Sequence, residues 1–267
     1  MTQEQQQSLQ ERLIELVKEG KSGHQIANEL GVNYTTVHRW LRKFGLSLPN
    51  HHNELKFDNT VFDTIDTEEK AYWFGFLCAD GCVYSNRVAV ELSLKGSDIE
   101  HLEKFRVFLK NKNEVKLGKA TCNGKEFSRC RMTLIDKHFH DALINKGCVP
   151  QKSLTLEFPD TSIFCSPNLI KHFIRGYFDG DGCITPSGCS KIATTLNGTN
   201  EFLTKVIEYY PHLFSAPRLN NKNHPEINAY VIGNCGLKAT EFCHDLYDGA
   251  QIYLQRKFDK FNELKRS

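Results

Sequence analysis

The feature that most constrains the fold is an internal duplication in the second part of the chain. The segment ADGCVYSNRVAVELSLKGSDIEHLEKF (79–105) is similar to GDGCITPSGCSKIATTLNGTNEFLTKV (180–206). Each copy follows an apolar stretch with helical spacing and continues into an alternating strand, a glycine turn and a second helix. Later segments, FSRCRMTLIDKHFHDAL and INAYVIGNCGLKATEFCHDL, each have the pattern of a strand followed by a helix. The sequence therefore predicts an α+β fold with two similar αββαββα halves, over 66–160 and 161–267.

Two aspartates end the first helices of these halves, Asp80 in WFGFLCADG and Asp181 in IRGYFDGDG. A carboxylate at the C-terminal end of a helix is opposed by the helix dipole, by roughly 0.3–1 kcal/mol, and two neighbouring carboxylates also repel each other. Gly75 and Gly176 occupy equivalent places inside the helices, although a mid-helix glycine costs about 1 kcal/mol relative to alanine. We therefore expect the two helices to pack closely and to bring the aspartates together. A helix stop made by Asp-Gly is the alternative explanation for either copy alone.

A divalent cation with oxygen ligands would offset the charge of two adjacent aspartates, and Mg²⁺ is the usual ion held by one or two carboxylates plus phosphate oxygens. The segments Trp73–Gly81 and Ile174–Gly182 resemble the paired signature of the LAGLIDADG homing endonucleases, and the resemblance extends from Asp66 to the C-terminus. It implies a pseudo-twofold pair of halves with saddle-shaped sheets under the helices. It also implies that Asp80 and Asp181 bind Mg²⁺, with Mn²⁺ as a substitute.

The two copies of the signature differ at one acidic position. The earlier aspartate of the motif is present as Asp179 in the second copy, whereas Cys78 occupies this place in the first copy. The family varies here, so the difference does not affect the expected metal ligands. It predicts instead that the two halves are unequal.

Two lysines are candidates for a direct role in the chemistry. Hydrolysis of a phosphodiester requires an activated water and neutralisation of the developing charge. Lys152 lies in GCVPQKSLTLEFP, which resembles the family's block with a lysine near the active site, so we expect it to polarise water or to bind phosphate. An ordinary surface lysine is the alternative. In the second half, IYLQRKFDKF offers Arg256 and Lys257, and we favour Lys257 as the counterpart.

The outer faces of the strands are candidates for contacts with a DNA groove. Alternation in RVAVELSLK directs Val88 and every second residue after it towards the helices and leaves the polar residues outside. Polar and basic side chains on such a face suit phosphates and base edges, whereas a solvated sheet face is the alternative for any single residue. The outward candidates are Arg87, Lys95, Arg129, Arg131, Lys191, Thr195, Asn228 and Tyr230.

The first 47 residues are expected to form a small all-α domain. The stretch SGHQIANELGVNYTTVHRWLRKFG resembles a helix-turn-helix DNA-binding unit, because Ala27 allows close helix packing, Gly31 suits a left-handed turn and Val37 fills the gap. We assign 1–47 to this domain and 48–65, which has no periodicity, to a linker. The candidate DNA contacts are Tyr34, Thr35, Thr36, His38, Arg39 and Arg42, with a solvated helix face as the alternative.

Composition limits the partners. Lys and Arg number 34 against 32 for Asp and Glu, so an anionic partner must meet local basic faces rather than a general field. The sequence has no apolar run of membrane-spanning length and no signal-peptide pattern, so we expect a soluble intracellular protein without a membrane partner. None of the ten cysteines forms Cys-x-x-Cys, and we expect most to be buried thiols.

These features together predict a site-specific endonuclease acting on double-stranded DNA. A duplicated chain can present one acidic site to each DNA strand, so we expect it to act as a monomer. The family resemblance implies a double-strand break with short 3′ overhangs at a long recognition site, and a gene carried by a phage, a virus or a mobile intron. The alternatives are a catalytically inactive LAGLIDADG DNA-binding regulator and an RNA maturase.

Overall fold

A computed structural model of the chain describes five stretches, which are residues 3–48, 56–122, 124–188, 191–224 and 226–266. The chain divides into two compact units, Met1–Leu55 and Lys56–Ser267. In the described part of the chain, no helix has both the length and the apolar character needed to cross a membrane.

The first unit is a three-helix cluster made of α1 (Gln3–Lys18), α2 (Gly23–Leu30) and α3 (Tyr34–Lys43). Ser22 and Gln25 form a reciprocal capping box at the start of α2, in which each side chain accepts the other residue's backbone N–H. Gly31 ends α2 with φ +63°, and Ala27 and Val37 are buried between the helices. The predicted helix-turn-helix geometry is therefore confirmed.

The first half of the second unit follows the expected order of elements. These are α4 (Glu68–Asp80), β1 (Gly81–Val83), β2 (Ala89–Lys95), α5 (Ile99–Phe108), β3 (Lys116–Cys122), β4 (Lys125–Ile135) and α6 (Lys137–Asn145). The strands form an antiparallel sheet in the order β1-β2-β4-β3.

The second half repeats this topology and adds one helix. Its elements are α7 (Leu169–Asp181), β5 (Gly182–Ser187), β6 (Lys191–Gly198), α8 (Asn200–Tyr209), β7 (Arg218–Leu219), β8 (Tyr230–Cys235), α9 (Leu237–Tyr247) and α10 (Gln255–Arg266). The antiparallel sheet has the order β5-β6-β8-β7. Both halves are thus αββαββα units, as the duplication predicts.

Helices α4 and α7 lie side by side at the centre of the second unit. A Cβ atom added to Gly75 would lie 2.0 Å from the carbonyl oxygen of Phe173, and one added to Gly176 would lie 1.9 Å from that of Tyr72. The two backbones therefore touch directly, which only glycine permits at these positions. This contact explains both mid-helix glycines and confirms that the two motif helices pack against each other.

The predicted linker ends earlier than residue 65. Phe57, Val61, Phe62 and Ile65 are buried in the core of the second unit, where Phe62 packs near Phe74 of α4. The segment lacks a regular pattern because residues 56–65 form turns and bends rather than a helix or strand. Of the predicted linker, residues 49–55 lie outside the described residues.

Among the described side chains, the strand faces agree with the predicted alternation except at Arg87, Val88, Asn228 and Tyr230. Val88 is 43% exposed because β2 begins only at Ala89, so Val88 does not face the helices. Tyr230 does not face outward. Ile232 pairs with Leu196 on the buried face of the sheet, and Tyr230, two residues earlier in the same strand, points to the same face. Asn228 precedes β8 and also lies outside the outward-facing set.

The cysteines are less uniformly buried than expected. Of the described free cysteines, the buried ones are Cys78, Cys130, Cys148 and Cys243, and the exposed ones are Cys82, Cys165, Cys183 and Cys235. Cys82 and Cys183 lie at the second residue of β1 and β5, where the strand alternation directs their side chains outward.

Candidate metal centre

The two motif aspartates meet at the ends of the packed helices. Asp80 is the last residue of α4 and Asp181 is the last residue of α7. A Cβ atom added to Gly180 would lie 2.2 Å from the Cβ of Ala79 and 3.5 Å from the carboxyl carbon of Asp80. The final turns therefore touch just before the aspartates, and the structure brings the two residues together as predicted.

The two carboxyl groups lie in an environment that disfavours their charge. Burial and then the nearby Asp181 carboxylate raise the pKa of Asp80 to about 6, against the influence of Lys257, Lys152 and Arg256. Burial also raises the pKa of Asp181, while Lys152 and Lys257 lower it. The Asp80 side chain remains accessible to solvent. The Asp80 carboxyl is therefore surrounded by protein atoms except on one side, which is open to solvent and leaves room for a cation.

The donor set fits a hard ion that brings its own oxygen ligands. Among the described residues, no group of three or more His, Cys, Asp or Glu side chains could hold a metal ion. Asp80 and Asp181 can therefore offer one carboxylate ligand each. Mg²⁺ is commonly bound by one or two carboxylates, with water and phosphate oxygens completing an octahedron. The residues present fit such an ion.

Each predicted lysine lies at the end of its own motif helix. The ammonium of Lys152 donates a hydrogen bond to the carbonyl oxygen of Ala79 in α4. Lys257 is 5% exposed, and its ammonium donates to the carbonyl oxygens of Phe178 at 2.6 Å, Gly182 at 2.5 Å and Gly180 at 3.5 Å. Burial lowers the pKa of Lys257 to about 8, although nearby Asp179 opposes this change. Both lysines therefore offset the negative end of a helix dipole.

Arg256 binds a carboxylate, whereas its neighbour Lys257 binds backbone carbonyl oxygens. Its Nε donates to both carboxylate oxygens of Asp98, at 3.0 and 3.2 Å, and Asp98 is almost fully buried. About half of the Arg256 side chain remains exposed. Because Nε takes the ion pair, the terminal nitrogens can reach an anion from solvent. The sequence patterns did not indicate this ion pair, which joins the first half of the unit to the second.

A cavity lies on each side of the aspartate pair. One, of about 180 Å³, is lined by Asp181, Lys152 and Tyr177. The other, of about 450 Å³, is lined by Asp80 and Arg256. Each cavity thus combines an aspartate of one half with a cation of the other half. This crossed arrangement suits the binding of one phosphate group on each side.

The candidate strand contacts are concentrated in the first sheet. Lys95 of β2 lies opposite Arg129 of β4, and Ser93 lies opposite Arg131. Lys95 is exposed, whereas both arginines are half-buried. Arg87 lies outside β2, with its guanidinium 3.8 Å from the ring centroid of Tyr84. The first sheet thus carries a local basic patch on its outward face.

The second sheet contributes fewer groups than predicted. Thr195 is half-buried on the outward face, while Lys191 has only its backbone among the described atoms. Asn228 accepts the N–H of Asn200 at 3.1 Å and donates to the carbonyl oxygen of Leu154 at 3.1 Å, so its amide serves internal contacts. Tyr230 lines the cavity beside Asp181.

The predicted helix-turn-helix contacts share one accessible face of α3. Thr36 is half-buried, and the exposed residues are Tyr34, Thr35, His38, Arg39 and Arg42. The Tyr34 ring stacks on His24 with centroids 4.1 Å apart. This face offers aromatic, hydroxyl and basic groups together, as contacts to a nucleic acid require.

The comparisons with known proteins agree with this architecture. A family model described as a homeodomain-like domain matches residues 7–48. No curated protein is significantly similar to the chain. Among solved structures, the homing endonuclease I-WcaI bound to its DNA recognition sequence is similar with a TM-score of 0.51 and 13% identity, covering 73% of this chain and 87% of that chain.

Two further structures are similar at lower TM-scores. The LAGLIDADG homing endonuclease I-LtrWI bound to target DNA has a TM-score of 0.45 and 12% identity, covering 75% of this chain and 90% of that chain. Full-length WhiA from Thermatoga maritima has a TM-score of 0.42 and 12% identity, covering 79% and 65%. With two αββαββα halves joined through their motif helices, the chain has the fold of the LAGLIDADG homing endonucleases, preceded by a homeodomain-like unit.

Proposed function

We propose that the protein is a site-specific, metal-dependent endonuclease that cuts both strands of a DNA duplex. The observation that carries this proposal is the meeting of Asp80 and Asp181 at touching helix ends, with a lysine ammonium on the carbonyls of each helix. Mutual repulsion and burial disfavour the charged form of two such carboxylates, and a bound cation would offset this cost. Mg²⁺ is the proposed cofactor, with Mn²⁺ as a substitute.

The residues of the centre have separable roles in hydrolysis. Asp80 and Asp181 hold the metal, which when bound supplies a polarised water and neutralises charge on the phosphate. Lys152 and Lys257 keep the helix ends in place, and Lys152 also lines the cavity beside Asp181, where it can orient water or bind phosphate. Arg256, fixed by Asp98, directs its free nitrogens to the phosphate on the Asp80 side.

Target recognition is assigned to the outward faces of both sheets. The patch of Lys95, Arg129 and Arg131 contacts phosphates and base edges of one half-site. The face of α3 adds contacts beside that site. Because the two halves already form a pseudo-twofold pair, one chain is sufficient for one duplex, and homing of a mobile intron is the biological process that such cutting serves.

The test is cleavage of a candidate intronless insertion site in the presence of Mg²⁺. Asp80→Asn and Asp181→Asn should each abolish double-strand cutting while binding to the same duplex persists, because each removes charge from the centre without removing volume. Asp141→Asn, on the exposed surface of α6, is the matched control and should cut as the wild type does. The assignment is wrong if both centre variants cut normally.

The same assay separates the rival functions. Tight binding of the duplex by the wild type without cutting in Mg²⁺ or Mn²⁺ would indicate a DNA-binding regulator. Competition by structured RNA more effectively than by the duplex would indicate a maturase.

A further inference from the structure

A fully buried carboxylate, Asp179, lies in α7 close to the metal centre but has no role in the chemistry proposed above. The hydroxyl of Tyr72 donates to it at 2.8 Å and the hydroxyl of Tyr247 donates at 2.6 Å. The backbone N–H of Leu254 donates at 2.7 Å. These donors come from α4, from α9 and from the residue that precedes α10. One side chain thus connects three other elements to α7.

The hydrogen bond to Leu254 fixes the start of α10. The carbonyl oxygen of Leu254 accepts the N–H groups of Lys257 at 3.0 Å and Phe258 at 3.2 Å, so the first turn of the helix begins at Leu254. A carboxylate that binds a backbone N–H at a helix N-terminus is also favoured by the helix dipole. Since Lys257 belongs to this first turn, its location depends on where Asp179 holds Leu254.

Lys257 in turn reaches back to α7. Its ammonium donates to the carbonyl oxygens of Phe178, Gly180 and Gly182, which surround the end of that helix. A buried ammonium with three acceptors cannot change partners unless α10 moves. Asp179 and Lys257 therefore clamp the first turn of α10 to the last turn of α7, where Asp181 is located.

The first half is built differently at the equivalent position. Cys78 takes the place of Asp179, and it lies close to the buried thiol of Cys148. The position equivalent to Tyr72 is Phe173, which has no hydroxyl group. A charged anchor is thus present beside Lys257 and is replaced by a thiol pair near Lys152.

We propose that Asp179 is a positioning residue, which sets Lys257 against the carbonyl oxygens at the end of α7 and thereby supports the cleavage of one DNA strand more than that of the other. The inference rests on the proposed nuclease function. It assigns a specific consequence to the difference between Asp179 and Cys78, namely unequal dependence of the two strands on this anchor.

The first test measures Lys257 itself, in the protein without DNA or metal. Asp179→Asn and Asp179→Cys are compared with the wild type, and the cysteine variant introduces the residue that the chain already uses in its first half. The protein is treated with a limiting amount of an amine-reactive acetylating reagent, and acetylation is measured by mass spectrometry. In the variants, acetylation of Lys257 should rise about tenfold, because its buried amine becomes accessible when α10 loosens, while acetylation of Lys152 should not change. Equal labelling of Lys257 in the wild type and both variants would overturn the proposal.

Folding of the variants is checked by circular dichroism and thermal unfolding. Tyr247→Phe is the milder variant, because it removes one donor and keeps the carboxylate in place. It should raise the labelling of Lys257 by about twofold to threefold, consistent with the loss of one hydrogen bond. If Asp179→Asn and Asp179→Cys do not fold, unchanged labelling in Tyr247→Phe overturns the proposal instead.

The second test uses a duplex whose strands carry different labels. Lys257→Ala identifies the strand whose hydrolysis depends on Lys257. Asp179→Asn should slow the cleavage of that strand about tenfold and the cleavage of the other strand less than about twofold. In the Lys257→Ala background, Asp179→Asn should slow cleavage further by less than about twofold. Cys78→Ser, the matched change in the first half, should leave the Lys257-dependent strand unchanged.

A general packing role predicts a different result. If Asp179 only supported packing, Asp179→Asn would slow the cleavage of both strands equally, and its effect would be fully additive to that of Lys257→Ala. Either outcome overturns the proposal. If the wild type cuts neither strand, the nuclease function fails, while the labelling measurement still decides whether Asp179 positions Lys257.

Discussion

The two halves of the second unit share one topology but hold their lysines by different means. Lys257 belongs to a long helix, α10, is buried, and meets three carbonyl oxygens. Lys152 is half-buried, begins a single helical turn after Gln151, whose φ is +55°, and meets the carbonyl of Ala79. The backbone of the motif helices is therefore closely repeated, whereas the polar interior that supports each helix end has diverged.

The sheets differ in a similar way. In the first half, β3 and β4 pair along seven residues, from Lys116 to Cys122. In the described residues of the second half, the paired part of β7 is shorter, and Arg218 and Leu219 lie opposite Val231 and Tyr230 of β8. The first sheet also carries the patch of basic residues around Arg129. Under the proposed function, the first sheet would therefore provide more of the electrostatic attraction to DNA.

The largest expected effect tests what the halves share. Gly75→Ala and Gly176→Ala each place a Cβ atom within 2.0 Å of a backbone oxygen, so each should lower the free energy of unfolding by about 3 kcal/mol or more. Urea unfolding measures the loss. Gly118→Ala, where nothing lies near the added atom, is the control and should unfold like the wild type. Near-native stability of either helix variant would contradict the backbone contact.

The second prediction tests how the halves differ. Lys257→Met leaves three carbonyl oxygens without their donor in a buried place, and should cost about 2–3 kcal/mol of unfolding free energy. Lys152→Met removes a donor from Ala79 at a partly accessible place, and should cost about 1 kcal/mol or less. Urea unfolding at neutral pH compares them. Equal losses would mean that the two lysines are held equally firmly.

The third prediction concerns the charge of the centre. The pKa of Asp80 is about 6 in the folded protein, above its ordinary value of 3.8, so the folded state loses stability as the pH rises through this range. Asp80→Asn should therefore stabilise the metal-free protein at neutral pH by about 1 kcal/mol, a value reduced because water screens this accessible group. The gain should disappear below about pH 4. A loss of stability at neutral pH would exclude unfavourable charge at the centre.

The smallest effects concern DNA affinity. Lys95→Ala and Arg129→Ala should each weaken binding and lower the slope of log affinity against log salt by about 1, because each would remove a proposed phosphate contact. Thr195→Ala in the second sheet should leave the slope unchanged. Lys205→Ala, in an exposed ion pair with Glu208 on α8, is the control for charge alone. Fluorescence anisotropy at several salt concentrations gives the slopes. If Lys205→Ala lowered the slope as much as Lys95→Ala and Arg129→Ala do, the binding would not depend on a local basic patch of the first sheet.

The duplication made the central architecture predictable. Gly75 and Gly176 indicated that two helices approach closely, and the aspartates at the same spacing from them had to meet once the helices packed. The lysines were predictable in position but not in geometry, because the acceptors of Lys257 are backbone carbonyls, which carry no sequence signal. The roles of Lys152 and Lys257 in hydrolysis stay predictions.

Other features depend on contacts that a local pattern does not encode. Phe57 and Phe62 enter the core from an irregular segment, so their burial has no period to detect. The face of Tyr230 is set by pairing with β6, and a shift of one residue in the assumed parity reverses it. Asp179 lies within the signature, but its donors Tyr72 and Tyr247 are distant in sequence, and the cluster becomes visible only when α4 and α9 are in place.

Direct backbone contact between α4 and α7 also bears on how such a protein can acquire a new target. Because two glycines set the spacing of the helix ends, the stagger between the two cuts of the proposed nuclease would belong to the helix pair and would be independent of the surfaces that read the sequence. Outward residues of the strands can then be exchanged one by one, since none of them contributes to that spacing. For the proposed nuclease, specificity would then drift across generations while every new site would still be cut with ends of the same length.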